Sequence, residues 1–258
     1  MKNRTLLVAT MFAAASMFAA QPSFSDCMLN GVSAEFQTSA SADKPAAQSA
    51  AAPAGNLETV LTLLDRTASN FKDIQTDFVW DQYNKVVDDH DLQSGTMYFR
   101  RNGNNVEMAA DITKPDKKQV LFTDGRVRVF QPRIDQVTEY SAGKNKADFE
   151  SFLVLGFGGR GHDLAKSFDV KYAGMENVNG VSTYKLELTP KSQRVKDMFS
   201  LITLWIDKDR GVSVQQRFQE RSGDFRLAKY TNIKNEKLSG DVFKLKTTGS
   251  TKVIRPNG

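Results

Sequence analysis

Residues 119–129 read QVLFTDGRVRV, two apolar-rich runs separated by Asp124-Gly125. A two-residue hairpin turn needs positive φ at its central positions, which Asp-Gly supplies at little steric cost. Pairing Thr123 with Arg126 sets Phe122 against Val127 and Val120 against Val129. Those four side chains face one way, while Leu121, Arg126 and Arg128 face the other. A slip of one residue would send the apolar set to the opposite face, so the alternation itself specifies the register. One face needs cover and the other meets water, as in an antiparallel sheet with a single buried side.

The pattern recurs outward from this hairpin. Phe78 and Trp80 share a strand face, as do Met97 and Phe99. Around Ser222-Gly223, pairing Arg221 with Asp224 places Phe218 opposite Leu227, with Val212 and Val214 on the same face. Around Asn179-Gly180, Tyr184, Leu186 and Leu188 alternate cleanly, yet simple pairing sets Leu188 against Lys171. A bulge near Gly174 would bring Val170 or Tyr172 back into place. The helical spacing of Leu57, Val60, Leu61, Leu64, Ala68 and Phe71 predicts a helix capped by Asn56. Phe149, Phe152 and Leu153 cluster on one helical face of the segment DFESFLVL, residues 148–155. The predicted fold class is mainly β: a strongly curved antiparallel sheet with these two segments packed into its mouth.

The chain opens MKNRTLLVATMFAAASMFAAQPSFSDC. Lys2 and Arg4 form a basic start, Leu6 to Ala20 is an apolar run shorter than a spanning helix needs, and Ser23 and Ser25 are small residues before Asp26. Residues 1–25 therefore read as a cleavable signal peptide, which predicts export to the periplasm. Cys27 follows Asp26, and an acidic residue there opposes processing as a lipoprotein. Residues 26–55 are rich in Ala, Ser and Pro and form a flexible linker; the globular domain is residues 56–258. The chain has 35 Lys and Arg against 30 Asp and Glu. Without the first 55 residues, which hold Lys2, Arg4, Lys44, Asp26, Glu35 and Asp43, 32 stand against 27. No basic stripe emerges, which argues against nucleic acid as a partner.

The stretch LGFGGRGHD, residues 155–163, matches G-x-G-x-x-G through Gly156, Gly158 and Gly161. A dinucleotide site requires a preceding strand and a βαβ unit around it. Here a helical segment precedes the glycines and an antiparallel hairpin follows. The three glycines are read instead as a hinge between covering segments, and no cofactor is expected. The two histidines, His90 and His162, fall in separate predicted loops, and the single cysteine lies near the linker. Asp88, Asp89 and Asp91 flank His90 at spacings that match no calcium loop. No catalytic residue and no metal site is predicted, and the chain is not expected to be an enzyme.

The order of several segments resembles one family. Phe78-x-Trp80-x-Gln82 is followed by SGTMYFRR at 94–101, then by Lys114-Pro115 and VLFTDGRVRVFQP at 120–132. DQVTEY at 135–140 and DVFKLKTTGSTKVIRP at 241–256 complete the series. This succession is similar to that of the periplasmic outer-membrane lipoprotein carriers, the LolA family, with its LolB relatives. The resemblance runs from about Asn56 to the end. It implies an unclosed β-barrel with a helical lid over an apolar cavity, and a carrier that accepts acylated lipoproteins from an inner-membrane ABC transporter and passes them to an outer-membrane receptor. On that reading Phe78, Trp80, Met97, Phe99, Phe122, Val129, Leu186 and Phe218 line the acyl cavity, while Phe149, Phe152 and Leu153 form the lid. Lipid chains gain ~0.8 kcal/mol per buried CH₂, so an apolar lining suffices to hold them. Handover through an exposed mouth favours a monomer. Family carriers hold an arginine under the lid as a latch, whereas VEMAADITKP has Met108 or Ala109 near that place. The latch is then built differently, or the cargo is another lipid. A sensor domain on the same fold, binding a partner protein or stray lipid, is the further alternative.

Overall fold

The computed structural model describes residues 54–71, 73–102, 105–141, 152 and 155–256. The expected signal peptide, most of the linker, Cys27, Phe149 and Leu153 lie outside the described residues. A helix, α1, spans Ala54–Asn70. Asn56 therefore lies inside the first turn and does not precede it as a cap. Val60, Leu61, Leu64 and Ala68 are buried, as their spacing requires.

Among the described residues, twelve strands follow. They are β1 (Asp73–Asn84), β2 (Asp89–Asn102), β3 (Asn105–Lys114), β4 (Lys118–Thr123), β5 (Arg126–Gln131) and β6 (Gln136–Ser141), then β7 (Phe168–Val178), β8 (Val181–Pro190), β9 (Leu201–Asp207), β10 (Ser213–Gln219), β11 (Phe225–Lys234) and β12 (Lys252–Ile254). Short helices α2 (Gly161–Ser167) and α3 (Gln193–Met198) precede β7 and β9. All twelve strands form one sheet in the order β12-β6-β5-β4-β3-β2-β1-β11-β10-β9-β8-β7. Its edges, β12 and β7, do not meet, so this is an unclosed barrel, mainly β with few helices. Pairing is antiparallel except between β12 and β6.

The Asp124-Gly125 hairpin has the expected register, with Thr123 opposite Arg126, Phe122 opposite Val127 and Val120 opposite Val129. The bulge near Gly174 is present: Val170 faces Leu188 and Tyr172 faces Leu186, and the register shifts before Met175 meets Tyr184. The Ser222-Gly223 hairpin departs from expectation. Phe218 lies opposite Arg226, not Leu227, and Gln219 opposite Phe225. The connection is longer than two residues: Glu220 N–H donates to the Asp224 carbonyl, and Gly223 N–H to that of Glu220. Val214 is a second correction. A register shift between Ser213 and Gln215 inserts it as an extra residue, which turns it to pack with Trp205 and Val178, away from Phe218. Turn residues mark where a chain reverses, but the side-chain contacts of both strands decide the register.

The buried side holds two apolar clusters. One joins Phe78, Met97, Phe99, Phe122 and Val129 near the middle of the sheet. The other joins Val60 and Leu64 of α1 to Leu186, Leu204 and Phe218. The outer face is partly covered as well. After β11 the chain crosses it, packing Leu238 and Phe243 against Ala109 and Leu121. Leu238 N–H donates to Asp73 Oδ2 at 2.7 Å, and Arg100 lies over the Phe243 ring. Asp135 then receives the hydroxyls of Thr248, Ser250 and Thr251, and sets β12 beside β6.

Candidate ligand-binding interior

Of the eight predicted lining residues, Phe78, Met97, Phe99, Phe122 and Val129 belong to the central cluster, and Trp80 packs against it with its ring centroid 4.4 Å from that of Phe78. Leu186 and Phe218 belong to the other cluster. Strand alternation places all eight on the covered side of the sheet. Phe152 packs against the second cluster, with Phe168 and Phe199 about 6 Å away, centroid to centroid.

The glycine-rich stretch is where the interior is filled. Residues 155–158 turn beneath α1, with Gly156 and Gly158 at φ +75° and +76°. L side chains rarely adopt that conformation, and space is short too: a Cβ on Gly158 would stand 2.5 Å from the Phe71 ring. Gly161 has an ordinary φ and serves close approach, because a Cβ there would collide with the backbone of Leu61. Between the first two glycines, Phe157 is driven into the central cluster and is 1% exposed. It stacks on Phe99 at 4.8 Å and meets Tyr230 edge-on at 4.7 Å. Leu155 enters the other cluster.

A buried polar seam lies between the two side chains. Gln216 of β10 is 5% exposed and donates from Nε2 to the Leu155 carbonyl at 2.6 Å. The Tyr230 hydroxyl donates to Gln216 Oε1 at 3.3 Å. Burial pushes the Tyr230 pKa up, with a small opposing effect from Trp80, so the phenol stays neutral and donating. Ser213 N–H donates to the Gly156 carbonyl at 2.8 Å. The loop is thus latched by Gln216 and Ser213, while Met108 faces the central cluster and Ala109 the outer one.

Toward one end of the interior, Trp80, Gln82, Gln93, Phe218, Arg226 and Tyr230 border a cavity of about 30 Å³. That admits a water molecule, not an acyl chain. Burial lowers the Arg226 pKa, opposed by Glu220, whose carboxylate is 3.1 Å away.

Gln216, Tyr230, Leu155 and Phe157 were not singled out from the sequence. The available signal was an apolar residue held between two glycines. His90 and His162, expected in loops, lie in β2 and in the first turn of α2. His90 pairs with Asp81 at 2.7 Å, and Asp88 accepts from Tyr83 at 2.9 Å, so these groups serve the β1–β2 hairpin. Among the described residues, no group of three or more His, Cys, Asp or Glu converges as a metal site requires, and no helix is long and apolar enough to cross a membrane.

A family profile described as "Uncharacterized protein" matches residues 116–251. No curated protein sequence matches the chain. Among solved structures, an uncharacterized conserved protein from Thermus thermophilus is similar at 12% identity and a TM-score of 0.50, covering 78% of this chain and 99% of its own. MucB in its complex with MucA from Pseudomonas aeruginosa is similar at 16% identity and a TM-score of 0.46 over 74% of this chain and 61% of that one. A LolA superfamily protein from Nitrosomonas europaea is similar at 15% identity and a TM-score of 0.37, covering 73% and 97%. At these identities the likeness concerns fold.

Proposed function

The chain belongs to the family matched over residues 116–251, and we propose that it is an extracytoplasmic lipid-binding protein whose interior accepts acyl chains. One observation carries this reading: the central apolar cluster on the covered side of the open sheet includes Phe157, a side chain presented on a glycine-flanked loop and not on the sheet itself. When the loop withdraws, Phe157 leaves a space beside Phe99 and Tyr230 within the central apolar cluster, whose side chains suit a hydrocarbon chain. Each long acyl chain gains on the order of 10 kcal/mol from apolar burial, so the site needs volume and few polar groups.

The sequence resemblance to lipoprotein carriers supports the finer form of the proposal. In it the protein, exported to the periplasm by residues 1–25, takes an acylated lipoprotein or another lipid from an inner-membrane ABC transporter to an outer-membrane receptor, as a monomer and without catalysis. Phe152 and Phe157 cover the interior, and Gln216 holds the cover where family carriers use arginine. Native mass spectrometry of the protein released gently from the periplasm tests this. A complex with one acylated polypeptide or lipid is expected. Empty protein that also takes up no added phospholipid would sink the proposal.

A further inference from the structure

Leu155-Gly156-Phe157 has the layout of a two-chain lipid. Leu155 reaches one apolar cluster and Phe157 the other, and the Leu155 carbonyl lies between them on the buried Gln216 amide. We infer that the interior takes a lipid with two acyl chains, one in each cluster, and that Gln216 receives a carbonyl of its ester or amide linkages. The inference rests on the lipid-binding reading above and specifies its ligand.

Gln216 lies on the same strand as Phe218 and, like it, faces the covered side, opposite Ala228 and Leu204. A buried amide in apolar surroundings is costly unless its hydrogen bonds are made. Tyr230 engages Oε1 and so orients the group, directing Nε2 toward the seam between the clusters, where the Leu155 carbonyl accepts it. Withdrawal of the loop removes that acceptor. A bare hydrocarbon entering the space leaves the amide N–H unpaired, whereas an acyl ester or acyl amide brings a carbonyl at the root of its chains. Gly156 completes the imitation. A Cβ there would meet Ser213 and come within 3.0 Å of Gln216 Nε2, so only a bare backbone brings its carbonyl this close to the amide. Loop and ligand thus compete for one donor and two apolar clusters, and binding exchanges one set of contacts for an equivalent one.

The test is calorimetric titration of the full chain with dihexanoyl phosphatidylcholine, its dihexyl ether analogue, and single-chain dodecanoyl lysophosphatidylcholine, each below its micellar concentration. The diester is expected to bind roughly 2- to 12-fold more tightly than the diether, the effect of one neutral hydrogen bond of about 0.5–1.5 kcal/mol. It should also bind more tightly than the single-chain lipid. Gln216→Met, a near match in volume, should abolish the ester preference while still binding the diether. Equal affinity of wild-type protein for diester and diether overturns the role of Gln216, and this comparison stands even if the variant does not fold. Equal affinity for the one-chain lipid overturns the two-cluster arrangement. Failure of all three lipids to bind refutes the lipid-binding reading itself, a result distinct from binding without preference.

Discussion

At Phe157, the filling seen in the core and the gating proposed above fall on one side chain. Truncation of an ordinary buried phenylalanine costs about 3–5 kcal/mol because the surroundings collapse only partly. Phe122, fully buried on β4, should follow that rule. Phe157→Ala is expected to cost no more than this and to raise the affinity for an apolar dye or phospholipid, since the competitor for the space has been shortened. Phe122→Ala should lower stability without that gain. Urea unfolding combined with dye titration of both variants separates the cases; equal dye affinity in the two would mean that Phe157 is core and nothing more. The covered face of Phe78, Trp80, Met97, Phe99, Phe122, Val129, Leu186 and Phe218 was legible in the sequence because period-two alternation assigns faces without knowledge of partners. Phe157 and Gln216 were not. Phe157 belongs to no periodic segment, and a glutamine on an apolar face reads as an exception until its acceptor, sixty-one residues away along the chain, is in view.

Among the elements, α1 and α2 are joined through His162, whose ring contacts Asp65 and lies 3.2 Å from Glu58, both on α1. The Asp65 hydrogen bond is the main cause of a raised His162 pKa, with both carboxylates adding attraction. At Asp65, burial acts to raise the pKa, but the His162 bonds outweigh it and the net shift is downward. The His162 contribution is full below its unfolded value of about 6.5 and is lost as pH rises through the raised folded value. The Asp65 contribution is present above about 3.9 and is lost as pH falls through the lowered folded value. The clasp is therefore strongest in mildly acidic solution. Melting wild type and His162→Gln across pH 5 to 9 should show the wild-type advantage shrinking as pH rises; an advantage independent of pH would remove the ion pair from the account. The hairpins show what pattern can and cannot reveal about elements. Asp124-Gly125 closes the tightest turn that its flanking residues allow, so turn chemistry and register agree. At Ser222-Gly223 the same logic gives a register one residue out, because the longer connection leaves Phe218 free to follow its inner-face neighbours.

For the molecule as a whole, the segment after β11 works as an outer strap. Removing residues 235–258 would bare Ala109 and Leu121 and strip Asp73 of the Leu238 N–H. Losing the burial of Leu238 and Phe243, roughly 1.5–3 kcal/mol each, should lower the melting temperature by on the order of 10 °C. Scanning calorimetry of the truncated chain checks this, and an unchanged midpoint would make the strap dispensable. The overall plan was largely legible, since one-sided strands and recurrent turns leave few architectures open. The strap was not, because its apolar residues are few and irregularly spaced. The sheet order carries one more consequence. β1 lies between β2 and β11, with Phe78 opposite Tyr230, so the strand formed from the first part of the domain waits for one of the last. On the export route proposed above, a chain emerging end first can close its early hairpins on the way. It cannot complete the sheet until nearly all of it has crossed, so such pairing across the length of the sequence makes for slow folding and keeps the domain threadable throughout its passage.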